Sequence, residues 1–283
     1  MTKISKSIKL NSGYSIPTIG LGTWLLSTSE APSLVYKALD AGYRHLDTAI
    51  YYGNEREVGE GIAKWISDDP SRKREDVFYT SKLWTFNTYS RAKEEIERAF
   101  SQVEHSLGYI DLLLLHSPMG GPEGRLAGWK ALQEAVEEGK VKSIGVSSWG
   151  AQHIDQLYAW DGLTIEPAVN QFEVHPWCMR TELSEFCKKK GIHVESYSPL
   201  AHGERLKDAT VVKVAKKYGV TPAQLLLRWN LQKGNIILPK TSNPDRLSSN
   251  LDLFGFELAD EDVKLIEHPE VHEPTDWECT NMP

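Results

Sequence analysis

Short apolar runs alternate along the chain with longer segments whose apolar positions recur every three to four residues. These are the signatures of buried strands and amphipathic helices. Ile8–Leu10 and Tyr14–Ile16 flank Asn-Ser-Gly, a turn signal, and predict a small β-hairpin. Thr18–Thr23 predicts a short strand. A helix capped by Thr28 or Ser29 then runs through Leu39, with Gly42 just past its end. From there strand and helix take turns. Strands are predicted at Arg44–Asp47, Val77–Lys82, Ile110–His116, Val141–Ser147, Ala168–Glu173, His193–Ser198 and Asn235–Pro239. Helices are predicted at Glu55–Trp65, Ser90–Leu107, Gly128–Glu138, Ala151–Trp160, Thr181–Lys190, Ala209–Tyr218, Pro222–Gln232 and Asp245–Leu251, with an extra one at Asp260–Glu267. The four leucines before His116 show no polar alternation, so both faces of that strand are buried, as in a parallel sheet. The economical reading is a single α/β domain over residues 1–283, a closed (β/α)8 TIM barrel with an N-terminal β-hairpin and extra helices. A doubly wound open sheet is the alternative.

Composition narrows the function classes. The 283 residues suit one such barrel, and 40% hydrophobic with 25% charged content is ordinary for a soluble globular protein. A net charge of −7 argues against broad nucleic-acid binding and against an anionic membrane surface. Cys178, Cys187 and Cys279 are odd in number and lack CxxC spacing, which suits a reducing compartment and neither a disulfide framework nor a zinc site. The polar N-terminal stretch Met1–Lys9 lacks a signal-peptide core, and no apolar run approaches the roughly 20 residues of a membrane span. A cytoplasmic protein, monomeric or weakly dimeric, is expected. Gly20-Leu-Gly22 lacks the third glycine of a dinucleotide fingerprint, and no Walker loop, HExxH or EF-hand loop occurs. Gly145-Val-Ser-Ser-Trp149 fails the nucleophile-elbow pattern.

Chemistry-bearing residues instead end apolar runs. Asp47 and Lys82 close two predicted strands, His116 closes a third, and Tyr52 lies at the first strand-to-helix turn. Strand ends that feed helices carry the active site in α/β barrels, so the four residues converge at one barrel mouth. Each alone has a plain structural explanation: a helix cap, a solvated lysine, a loop histidine, a surface tyrosine. Together they compose a proton donor. A nearby ammonium lowers a tyrosine pKa from its ordinary value near 10, and about two units of lowering needs roughly 2.7 kcal/mol. Asp47 would hold Lys82 protonated, and His116 would hydrogen-bond a substrate carbonyl oxygen.

At this point the chain resembles the aldo-keto reductase family over essentially its whole length. The matching stretches are Gly20-Leu-Gly-Thr-Trp24, Asp47-Thr-Ala with Tyr52-Gly-Asn-Glu55, Ser81-Lys82-Leu-Trp84, and Asp111 to His116-Ser-Pro118. Later ones are Ile144-Gly-Val-Ser147, Asn170-Gln-Phe-Glu-Val-His-Pro176, Tyr197-Ser-Pro-Leu200 and Leu238-Pro-Lys240 with Arg246 and Asn250. Short segments after His116 and Leu200 resemble microbial members such as diketogluconate reductases. The resemblance implies a catalytic tetrad of Asp47, Tyr52, Lys82 and His116 and hydride transfer between NADPH and small carbonyl substrates, without metal. It implies coenzyme contacts from Ser147, Ser148, Gln171, Tyr197, Ser198, Leu200, Lys240, Thr241, Ser242, Arg246 and Asn250. Ser148 stands where the family often has Asn, and Ser249 where many members have Glu. Lys240 and Arg246, six residues apart across Thr-Ser-Asn-Pro, also read physically as a phosphate site that pairs two cations with helix-start N–H groups. Trp24, Tyr51, Trp84, Ser117 and Trp277 are the expected pocket walls. Ser117 stands where many members carry Trp, which predicts room for bulky ketones. The rival readings are a regulatory nicotinamide-binding barrel and a pyridoxal-phosphate enzyme with Lys82 as the Schiff base.

Overall fold

The computed structural model describes residues 6–84 and 86–283. The first five residues of the polar N-terminal stretch lie outside them. Strands β1 (Ser7–Lys9) and β2 (Ser15–Pro17) pair antiparallel as the hairpin, with Ile8 opposite Ile16. Eight parallel strands follow in chain order: β3 (Leu21–Gly22), β4 (His45–Asp47), β5 (Phe78–Leu83), β6 (Ile110–Leu115), β7 (Val141–Ser147), β8 (Val169–Glu173), β9 (His193–Tyr197) and β10 (Ile236–Ile237). The ends of the sheet meet. Gly20 N donates to Ile237 O at 2.8 Å, Ile237 N to Thr18 O at 2.9 Å and Gly22 N to Pro239 O at 3.1 Å. That closure makes a barrel and excludes the open sheet.

The helices are α1 (Ala31–Ala41), α2 (Glu55–Ser67), α3 (Tyr89–Leu107), α4 (Gly121–Glu137), α5 (Ala151–Tyr158), α6 (Thr181–Lys189), α7 (Ala209–Tyr218), α8 (Pro222–Gln232), α9 (Leu247–Leu251) and α10 (Asp260–Ile266). Their ends follow local chemistry. Thr88 Oγ1 accepts from Arg91 N to start α3, and Gly108 ends it in the left-handed conformation. Between them Ala92, Ile96, Ala99, Val103 and Leu107 form one buried stripe. In α8 Thr221 and Gln224 make a reciprocal capping box around Pro222.

Two expectations need correction. α4 begins at Gly121, seven residues before the predicted Gly128. Its glycines, which disguise the helix, are packing devices. A Cβ at Gly124 would lie 2.6 Å from Phe86 O, and one at Gly128 would lie 2.5 Å from the Phe86 ring. The predicted helix Asp245–Leu251 is a 3-10 turn, Pro244–Arg246, followed by the five-residue α9. Pro244 and the Asn243 side chain, which accepts from Asp245 N at 2.9 Å, favour the tight turn.

Both faces of the barrel strands are buried, and they bury different things. Outward positions such as Leu46, Tyr79, Leu113, Leu115 and Phe172 join the large core between barrel and helices. Inward positions form layers. The lower layers are apolar, with Phe78, Leu112, Leu114, Val169 and Ile236 packed against Leu10 and Ile16 of the hairpin, which plugs that end. The middle holds His45, Thr80 and Glu195, all fully buried. Gly20 makes room there, since a Cβ would lie 2.7 Å from His45 Nδ1. The inward residues at the C-terminal strand ends are polar, and they build the site.

Candidate active site

Register brings the strand ends together. Asp47 of β4 lies opposite Thr80 and Gly22, Lys82 of β5 opposite Leu114, and Ser147 of β7 opposite Gln171 of β8. His116 follows β6 and donates its backbone N–H to Leu83 O at 3.0 Å. Tyr52 ends a 3-10 turn, Ile50–Tyr52, stopped by Gly53 in the left-handed conformation.

Lys82 is the centre of this cluster. Its Nζ donates to Asp47 Oδ1 at 2.7 Å, Thr48 O at 2.8 Å and Tyr52 Oη at 3.4 Å. The side chain is fully buried and ion-paired, so it is neither the solvated strand-end lysine nor a free amine available as a Schiff base. Asp47 Oδ2 accepts from Gln171 Nε2 at 2.9 Å, and the same nitrogen donates to Glu195 Oε2 at 2.6 Å. A polar chain therefore runs from the phenol of Tyr52 into the barrel interior.

Burial pushes the Asp47 carboxyl up, against the pull of Lys82 and Gln171. Burial also works against the Lys82 ammonium, but Asp47 and Tyr52 outweigh it and hold Lys82 above the ordinary lysine range. Tyr52 corrects the expectation of a lowered pKa. Burial raises it, Lys82 lowers it and Asp47 raises it, and the net shift is upward. His116 is driven well below the ordinary imidazole range by burial and by Lys82, so it is neutral. Among the described residues its buried Nδ1 has no hydrogen-bond partner. Deeper in, burial and the Asp47 charge push Glu195 up to about 8, while burial pushes His45 down to about 3.

One cavity of about 590 Å³ joins these groups to most of the expected ligand residues. Its walls include Asp47, Tyr52 and His116, with Ser147, Gln171, Tyr197, Ser198, Leu200, Lys240 and Arg246. Trp24, Tyr51, Trp84 and Trp277 line the same cavity. Their rings form a file: Trp24–Tyr51 at 5.6 Å, Tyr51–Trp84 at 4.3 Å and Trp84–Trp277 at 5.5 Å, each pair within 18° of parallel. Trp84 and Trp277 both stand edge-on to His116.

Other expected residues lie outside the cavity wall. Ser148 is buried with φ 55°, its hydroxyl 3.5 Å from Tyr197 Oη. Thr241 is buried and engages Asn243 through its hydroxyl, Asn250 is buried in α9, and Ser242 is exposed. The Ser147 hydroxyl lines the cavity but donates to Gln171 O at 2.9 Å. Ser117 is buried, with its Oγ accepting from Met119 N at 3.3 Å, and does not line the cavity. Trp84 and Trp277, rather than position 117, build the cavity wall beside His116. The 3-10 turn that ends at Arg246 and the short helix after it leave the two cations, rather than a long helix start, as the positive charge there.

Sequence reasoning missed His45, Glu195, His202 and Asp276. Alternation from Asp47 and Tyr197 back along β4 and β9 points at the first two, since residues two apart share a face. His202 and Asp276 come from the irregular segments 198–203 and 268–283, where no periodicity helps. Ser198, Ala201 and His202 all have positive φ, between 44° and 52°, beside the cavity.

Relatives with known descriptions share this architecture. The family model described as the aldo/keto reductase family matches residues 18–269. An uncharacterised oxidoreductase of Saccharomyces cerevisiae is 50% identical over 282 residues, which cover 99% of this chain and 100% of that one. A solved aldo-keto reductase from a Medee basin deep-sea metagenome library is similar at TM-score 0.88 and 37% identity, over 98% of this chain and 99% of the other. The aldose reductase of Schistosoma japonicum is similar at TM-score 0.86 and 33% identity, over 98% and 99%.

Proposed function

We propose that this chain, which belongs to the aldo/keto reductase family, reduces aldehydes and ketones to alcohols with NADPH and with Tyr52 as general acid. The observation that carries the reading is the Lys82 cluster. It sets a protonated phenol at the floor of a cavity, beside a neutral imidazole and against a cation that favours the phenolate.

The residues of the wall fit a nicotinamide coenzyme along one continuous path. Tyr197 offers a ring face, Gln171 and Ser147 polar groups, and Lys240 with Arg246 two exposed cations at the far end. When bound, the reduced coenzyme supplies a hydride to the carbonyl carbon. The side chains do the rest. His116 orients the carbonyl oxygen by a hydrogen bond. Tyr52 delivers its proton to that oxygen as negative charge develops there, and Lys82 stabilises the phenolate left behind. The upward shift of Tyr52 suits this direction of reaction, because the proton is fully loaded at neutral pH.

A 2′-phosphate would lie between Lys240 and Arg246, where Arg grips in a bidentate manner and Lys adds a point charge. A charge-assisted hydrogen bond contributes about 1.5–3 kcal/mol, so losing one weakens binding roughly 10- to 100-fold. NADPH is expected to bind more tightly than NADH, and Arg246→Ala should remove most of that preference. Calorimetric titration of both coenzymes, with turnover of an aldehyde and ketone panel, is the test. Equal affinity for both coenzymes in the wild type would exclude the phosphate-site assignment. Absence of turnover across the panel would exclude the reductase.

A further inference from the structure

Trp84 and Trp277 build an aromatic stretch of the cavity wall, and the Asp276 carboxylate borders the same cavity. Trp84 and Trp277 stack at 5.5 Å and 8°, with Tyr51 continuing the wall. Asp276 immediately precedes Trp277 and lines the same cavity. Its Oδ2 accepts from Ser198 Oγ at 3.2 Å and from His202 Nε2 at 3.0 Å. The carboxylate is close enough to the proton donor for its charge to raise Tyr52. Among the described residues that line the cavity, the lysine and arginine side chains are Lys240 and Arg246, which the coenzyme phosphate takes on the reductase reading. Lys82 is spent on Asp47 behind the wall, and His116 is neutral.

We propose that Asp276 sets the substrate class: the pocket selects uncharged, ring-bearing aldehydes and ketones that lie against the Trp84–Trp277 wall, and disfavours carbonyl compounds that carry a carboxylate. This rests on the reductase reading and refines it. A carboxylate on a ring held against that wall comes near a like charge at a partly exposed site, where the repulsion is felt and is screened by salt. The opposing charge acts on the substrate carboxylate, and its effect on Tyr52 is common to both substrates and cancels in their ratio.

The test compares 4-formylbenzoate with methyl 4-formylbenzoate, which share a ring and a reacting group and differ in charge. The full-length protein with NADPH is expected to favour the ester in kcat/KM by at least about tenfold, equivalent to 1.4 kcal/mol. Asp276→Asn keeps the shape and removes the charge. It is expected to narrow the ester-to-acid ratio by about tenfold, whereas Asp276→Glu keeps the ratio wide. The ratio is the readout, because a merely structural role for Asp276 would change both rates together. Salt provides an arm that needs no variant. Raising ionic strength from about 0.01 M to about 1 M shortens the screening length from roughly 30 to 3 Å, so the wild-type ratio should narrow. A ratio near one in the wild type, or one unmoved by both Asp276→Asn and salt, overturns the inference while leaving the reductase intact. No turnover of either aldehyde overturns the reductase reading and this inference with it.

Discussion

Lys82 has three N–H bonds and three acceptors around it, and that saturation fixes what its neighbours can do. The ammonium is held in one rotamer, so its field falls on Tyr52 without reorganisation when the phenol loses its proton. Tyr52→Phe keeps the ring packed and deletes the proton. It should lower kcat by about 10²- to 10⁴-fold while coenzyme affinity stays near wild type, as steady-state assay and calorimetry would show. A folded Tyr52→Phe protein with wild-type rates would end the mechanism. Glu195 makes a different statement, about stability. Its carboxyl sits at about 8 in the folded chain against a reference of 4.5, so between those values folding binds a proton. The unfolded chain binds fewer protons there, so this contribution to stability falls as pH rises through the window. Glu195→Gln keeps the hydrogen-bonding shape and cannot ionise. Its melting temperature should exceed that of wild type by more at about pH 8 than at about pH 5, and an identical offset at both would contradict the buried charge.

At the scale of elements, the strands carry a legible code and the connections do not. Residues at the strand ends, Asp47, Lys82 and His116, could be read because each closes an apolar run, and register then brought them together. Tyr52 was legible through its place in the strand-to-helix turn. The direction of the Tyr52 shift was not, because it depends on how thoroughly the surrounding walls exclude water. Helix α4 was read short because its glycines look like breakers until Phe86 is seen against them. Ser117 was read as an opening because nothing in the chain announces that a tail over 150 residues away brings Trp277 to that place. The lower edge of the barrel shows the same dependence on distant partners. Arg74 donates to Leu107 O, Val77 O, Tyr109 O and Asp111 Oδ2, tying the starts of β5 and β6 to the end of α3. Arg74→Met would strand the buried Asp111 carboxylate and three carbonyls. A loss of roughly 3 kcal/mol is expected, read as a melting temperature lower by roughly 6–12 °C. A variant melting within a degree or two of wild type would show that the pair is dispensable.

For the whole molecule, residues 268–283 act as a strap that returns across the barrel mouth and is fastened on both sides. Arg180 Nη2 donates to Glu278 Oε2 at 2.5 Å, Gln152 Nε2 to Thr280 O at 2.9 Å and Arg125 Nη1 to Pro283 O at 3.0 Å. Thr275 N and Asp276 N donate to the Glu173 carboxylate at 2.8 and 3.1 Å. Burial alone would raise Glu278, but its hydrogen bonds from Arg180 and Thr280 outweigh burial and hold it at about 2. A depressed carboxyl contributes stability above its reference value of 4.5 and loses it as pH falls through about 2. The fastening is therefore complete at neutral pH and fails only in strong acid. Glu278→Gln should loosen it at neutral pH, raising KM for an aromatic aldehyde several-fold while kcat changes little, because Trp277 rides on the strap and Tyr52 does not. Equal KM values would mean that the strap is held well enough without this pair.

The file of rings at the cavity mouth also makes the protein its own optical reporter. Nine tryptophans are present, and three of them, Trp24, Trp84 and Trp277, line the cavity. Others, such as Trp129, Trp149 and Trp229, are sealed in the core. Indole emission is therefore divided between a population that a ligand can touch and one that it cannot. Filling the cavity should quench the first and leave the second as an internal standard. Trp277 is the most informative single emitter, since it reports on occupancy of the pocket and on seating of the strap at once. Replacing it by Phe, with Trp84 kept, would separate the two signals without dye, label or coupled assay.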